Sequence, residues 1–167
     1  RAESLATNLK SRDCACVVSA LAFDSGVNAA VTLAAIKPFL VIDASGPFQS
    51  SNYELARAAI NAGAHWIDLA DASGYITGFA AALDQGARAK GVTAIAGASS
   101  TPALSTAAVE ALTQNWRRID TVDIAIFPGG GGEVGLSVIQ ALLTYAGRPI
   151  AIWRNGKIGD TIGWGSV

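Results

Sequence analysis

The sequence predicts an α/β protein, a partial doubly wound parallel sheet followed by the start of a second α/β (α+β) unit, and three observations lead there. Apolar runs at residues 15–23, 39–44, 66–70 and 92–97 alternate with stretches of helical length and period, the order that parallel strands joined by crossover helices require. Small and polar residues follow the run ends, at 24–25, 45–50, 71–74 and 98–101. Beyond Asn115 the order changes, and Asn155-Gly156 between two apolar runs marks a tight hairpin, because both turn positions favour positive φ.

The elements follow in sequence. Residues 2–11 read as a helix, 15–23 as a buried strand, 26–36 as a second helix and 39–44 as the next strand. Ser51 with Glu54 has the spacing of a capping box, which predicts a helix from about Asn52 to the stop at Gly63. Residues 66–70 give a strand, 75–90 a helix stopped by Gly91, and 92–97 another strand. Pro102 behind Thr101 opens a further helix, since a proline at the first helical position lacks only an N–H that would be unpaired there. Residues 119–127 alternate like a half-exposed strand, four glycines follow Pro128, and 134–146 form a helix. These signals divide the chain into residues 1–114, the partial sheet domain, and 115–167, the beginning of a second domain.

Composition narrows the function classes. With 51% hydrophobic and 15% charged residues in 167, the chain has the apolar surface for a core. A net charge of -1 gives no polycationic field for nucleic acid or an anionic membrane surface. The long uncharged runs are interrupted by proline, glycine, serine and threonine, which argues against a membrane-spanning helix. Cys14 and Cys16 lie two apart and are expected to be buried, reduced thiols in an intracellular, cytoplasmic setting. With His65 the only histidine, too few ligands of the usual kinds are present for a structural zinc site. The sequence contains no methionine and has no secretory signal pattern at its start, and is expected to be a piece of a longer protein.

In a doubly wound sheet, ligands bind outside the carboxyl ends of the strands. Asp24 there either caps the next helix or accepts from an adenine amino group. Ser45, Gly46, Pro47 and Phe48 form either a tight turn with Phe48 plugging the core or a wall beside a flat ring. Asp71 at a strand end can cap a helix or face a substrate amine, while Asp68, mid-strand, is expected to be satisfied internally. Ser99, Ser100 and Thr101 precede a helix whose free N–H groups favour an anion, either a carboxylate or a phosphate, although Thr101 alone explains a cap. His65 stands at the wrong end of its strand for catalysis and is read as structural. Gly130, Gly132 and Gly135 match the dinucleotide glycine pattern, with Arg154 downstream, but the hairpin at Asn155-Gly156 replaces the second βαβ unit that such a site needs. A flexible loop lining a substrate pocket is the preferred reading.

Three segments together resemble the saccharopine dehydrogenase-like family of nicotinamide-dependent oxidoreductases, in particular its bacterial members. They are the Asp43-Ala44-Ser45-Gly46-Pro47-Phe48 turn, the Ala62-Gly63-Ala64-His65-Trp66-Ile67-Asp68-Leu69 run and the Gly97-Ala98-Ser99-Ser100-Thr101-Pro102-Ala103-Leu104-Ser105 run. The tail, Tyr145-Ala146-Gly147-Arg148-Pro149 and Trp153-Arg154-Asn155-Gly156, looks like the opening of that family's second domain. The resemblance implies a Rossmann domain carrying NADP or NAD, and a second domain covering the nicotinamide and supplying substrate and homodimer contacts. It implies hydride transfer to or from a carbon bonded to nitrogen or a related double bond of a small-molecule substrate. Asp24 is then placed near the adenine, Ser45, Gly46, Pro47 and Phe48 along the cofactor, and Asp71, Ser99 and Ser100 at the substrate. The family's first strand and glycine-rich loop have no counterpart here, so cofactor binding is expected to need an upstream segment. A family member that has lost the chemistry and serves as a scaffold is the alternative.

Overall fold

The computed structural model describes residues 2–11, 16–125 and 135–165. Helix α1 spans Ala2–Lys10 and α2 spans Ala29–Ile36. Strand β1 (Leu40–Asp43), helix α3 (Glu54–Asn61), strand β2 (His65–Asp68), helix α4 (Ser73–Lys90) and strand β3 (Ala94–Ile95) then alternate. An irregular turn of π type at Ser100–Leu104, with Thr101 extended at φ -130°, runs into α5 (Ser105–Thr113). Helix α6 (Leu136–Thr144) and the hairpin of β4 (Pro149–Arg154) and β5 (Lys157–Ile162) complete the described chain.

The first three strands form a parallel sheet in the order β1-β2-β3, with Asp43 opposite Asp68 and Ile67 opposite Ile95. Among the described residues β4 and β5 pair only with each other, antiparallel, and Asn155 and Gly156 take φ of 54° and 72° at their turn. These are the positive values that the Asn-Gly pair adopts at little steric cost.

The core lies on one side of the parallel sheet, where α3 and α4 pack. Register puts Trp66 and Asp68 of β2 on this side, and both are buried with Ile60 of α3 and Phe79 and Leu83 of α4. Phe48, Tyr53, Tyr75 and Phe79 form a chain of tilted and edge-on rings with centroids 4.8–5.9 Å apart, spacings at which aromatic pairs attract beyond their buried area. The opposite face carries Leu40, Ile42 and Ile95, all exposed.

Several expectations need correction. Residues 16–23 of the expected strand 15–23 are in no sheet, and Val17, Leu21 and Phe23 are exposed; residue 15 lies outside the described residues. A central parallel strand draws its stability from neighbours on both edges and layers on both faces, and among the described residues no strand pairs with this segment. Cys16 is exposed and disulfide-bonded rather than a buried thiol; Cys14 lies outside the described residues. Residues 119–125 of the expected strand 119–127 are likewise irregular. The capping box does not form either. Asn52 Oδ1, not Ser51, accepts from the Glu54 N–H at 3.2 Å, and the helix starts two residues late, because the short Asn side chain reaches the N–H two positions on. The Gly130 and Gly132 of the glycine pattern fall outside the described residues.

Candidate functional site

The carboxyl ends of β1 and β2 are organised by two aspartates. Asp43 Oδ1 accepts from the Ser45 N–H (2.9 Å) and the Ser45 hydroxyl (2.6 Å), which folds the chain sharply after β1. Asp68 is fully buried and accepts four hydrogen bonds. Its Oδ1 takes the Ala70 N–H (3.1 Å) and the Gly97 N–H (2.8 Å), and its Oδ2 takes the Trp66 indole N–H (2.9 Å) and the Tyr75 hydroxyl (3.1 Å). A buried carboxylate is tolerated only when its oxygens meet donors in this way. One side chain thereby ties the end of β2 to the loop after β3 and to α4. Burial, and next the Asp68 carboxylate beside it, push the Tyr75 phenol well above its ordinary value.

These ties shape a cleft of about 290 Å³ at the strand ends. Gly46, Pro47 and Phe48 line it from the first loop, Asp71 from the second and Ser99 and Ser100 from the third, with Val138 and Ala141 of α6 on the remaining side. Six of the sequence-derived site residues therefore meet in one place. Asp71 is exposed, and its Oδ1 accepts from the Gln49 amide at 3.1 Å. No hydrogen bond of the Ser99 or Ser100 hydroxyl to a described residue occupies them, whereas the Ser99 carbonyl accepts from the Ala103 and Leu104 N–H groups.

Two candidates take other roles. Asp24 does not line the cleft; its Oδ1 accepts from the Gly26 N–H at 2.8 Å, closing the turn before α2. The Ser45 hydroxyl is committed to Asp43. Phe48 serves both readings, since its ring is buried against Tyr75 at 5.4 Å and one part of it still borders the cleft. His65 lies at the amino end of β2, its ring tilted against Phe39 with centroids 4.8 Å apart, and Nδ1 accepts from the Thr93 N–H at 3.0 Å.

Sequence reasoning gave Gln49 and Asp43 no role of their own within the loop and turn that contain them, and did not bring the helix expected over 134–146 to the site. The first two were legible as polar residues flanking the turn, but nothing in the sequence says which side chain they hold. Val138 and Ala141 reach the cleft through a long-range return of the chain, fixed in part by the Tyr145 hydroxyl, which accepts from the Ser73 N–H at 3.4 Å. Among the described residues there is no cluster of three or more metal-binding side chains, and no helix is long and apolar enough to cross a membrane. No protein-family model matches the chain, and no curated protein matches it.

Proposed function

We propose that this chain forms the nicotinamide and substrate side of a Rossmann-type, NAD(P)-dependent oxidoreductase of the saccharopine dehydrogenase-like kind, acting on a carbon bonded to nitrogen or a related double bond. The observation that carries the reading is the single cleft holding Gly46, Pro47, Phe48, Asp71, Ser99 and Ser100 at the carboxyl ends of parallel strands, the edge where such sheets bind ligands. Its volume suits a nicotinamide ring with a small substrate and is too small for a whole dinucleotide.

The chain's own residues divide the work. Pro47 and the accessible part of Phe48 offer an apolar wall to a flat ring, and Gly46 lets that ring approach the backbone. Asp71 presents a carboxylate to a substrate ammonium, and the Ser99 and Ser100 hydroxyls donate to a substrate carboxylate. The nicotinamide, when bound, supplies or accepts the hydride; the protein's part is orientation and charge. Among the described residues no glycine-rich strand-to-helix turn is present to hold a pyrophosphate.

The test is a fluorescence titration of the chain with NADPH and, separately, with reduced nicotinamide mononucleotide. The expected result is weak binding of both with similar affinity, because only the ring end finds contacts. Binding of NADPH about a hundredfold tighter than the mononucleotide, roughly 2.7 kcal/mol, would contradict this division and point to the loop at Gly130 as a phosphate site.

A further inference from the structure

We propose that Gln49 is a positioning residue for Asp71, one that fixes this carboxylate for an ammonium-bearing ligand rather than stabilising the fold; the inference rests on the reading of the cleft given above. Gln49 follows the Gly46, Pro47 and Phe48 turn and lies between the substrate cleft and a second one of about 310 Å³ bordered by Tyr53, Ser73 and Tyr145. Its Nε2 donates to Asp71 Oδ1 at 3.1 Å. Its Oε1 is buried and has no hydrogen-bond partner among the described residues.

The two ends of this amide are linked. Turning it over to free Oε1 would set an acceptor against the Asp71 carboxylate, which can only accept. The donor must therefore face Asp71, and the unpaired carbonyl is the consequence. A buried acceptor left unmade costs free energy, so a side chain serving stability alone would be better replaced by an apolar one of the same size. What the arrangement gains is at Asp71. That residue is exposed, and an exposed aspartate samples several rotamers unless something holds it. With Oδ1 held, Oδ2 has no hydrogen bond to any described residue and is the acceptor left for a ligand N–H. Pre-orienting one partner raises affinity by removing an ordering cost from the binding step.

The experiment measures binding of two ω-amino carboxylates, γ-aminobutyrate and ε-aminohexanoate, to the chain by amide chemical shifts at Asp71, Ser99 and Ser100, with thermal unfolding recorded in parallel. The wild-type chain binds at least one of them, and Asp71→Asn abolishes the binding. Gln49→Leu weakens it about tenfold, while the melting temperature is unchanged or raised, since the unpaired acceptor is gone. A purely structural Gln49 would move both quantities down together, and a fall in melting temperature of more than a few degrees overturns the inference. Binding by Gln49→Leu equal to wild type, with Asp71→Asn still inactive, overturns it too while leaving the cleft reading intact. No binding of either probe by the wild type removes the ammonium site and Gln49's role with it.

Discussion

At the scale of single residues, Asp68 and Tyr75 form a buried, hydrogen-bonded pair. The Tyr75 hydroxyl supplies one of the four donors to a carboxylate that is fully buried. Tyr75→Phe leaves Oδ2 with the Trp66 indole alone and is expected to lower stability by about 1.5–3 kcal/mol, the range for a hydrogen bond to a charged group, in a denaturant titration. The pH dependence has a definite sign. Burial and the Asp68 carboxylate raise the folded-state phenol above its unfolded value of about 10, so the folded chain holds the proton more tightly. That contribution is whole below about pH 10 and is lost as pH rises beyond it, because the unfolded phenol ionises first. The unfolding midpoint of wild type should therefore drop above this point more steeply than that of Tyr75→Phe. Parallel curves would show that Tyr75 is not the group responsible. Asp68→Asn keeps the shape of the side chain but turns one oxygen into a donor facing donors, and is expected to cost about 1–3 kcal/mol by the same assay.

At the scale of elements, α4 sits against α3 and β3 with little tolerance. Gly78 in α4 faces the Tyr53 hydroxyl, which would lie 2.5 Å from an added Cβ, and that hydroxyl donates to the Tyr75 carbonyl at 2.9 Å. Two effects compete in Gly78→Ala. Helix propensity favours alanine by about 1 kcal/mol, but the Tyr53 ring is wedged between Tyr75 and Phe79 and cannot step aside freely. Overpacking is expected to win, with a net loss of about 1–2 kcal/mol read from thermal unfolding; a stabilised variant would show that Tyr53 moves at little cost. The elements also show what was legible in advance. Strands β1, β2 and β3 and helix α4 were readable because each is bounded by turn residues, and α4 also by the left-handed stop at Gly91. Residues 16–23 and 119–125 carry equally strong strand patterns and form none. An apolar or alternating run states what a segment can bury, and whether a neighbouring strand is there to pair with it is a property of the rest of the fold. In the site, the loop residues Gly46, Pro47, Phe48, Asp71, Ser99 and Ser100 could be placed together because parallel topology puts every strand's carboxyl end on one edge. Asp24 could not be distinguished from a cap, since the same short carboxylate serves both, and here it closes a turn.

At the scale of the whole molecule, the parallel sheet is covered by helices on one face and exposes Leu40, Ile42 and Ile95 on the other. Parallel sheets are ordinarily covered on both. Local stability should follow this asymmetry, and hydrogen exchange reads it directly. Amides of β2, paired on both edges and backed by α3 and α4, are expected to exchange slowest, those of β1 faster, and residues 17–23 without protection. Slow exchange across residues 17–23 would contradict the irregular path of that segment.

The claim on which the functional reading turns is that three loops from three strands make one ligand site. Amide chemical-shift mapping with reduced nicotinamide mononucleotide tests it most directly. The account predicts that Gly46, Phe48, Asp71, Ser99 and Ser100 shift together along one saturation curve, with Asp24 unmoved. Shifts confined to a single loop, or absent from all three while another part of the chain responds, would contradict it.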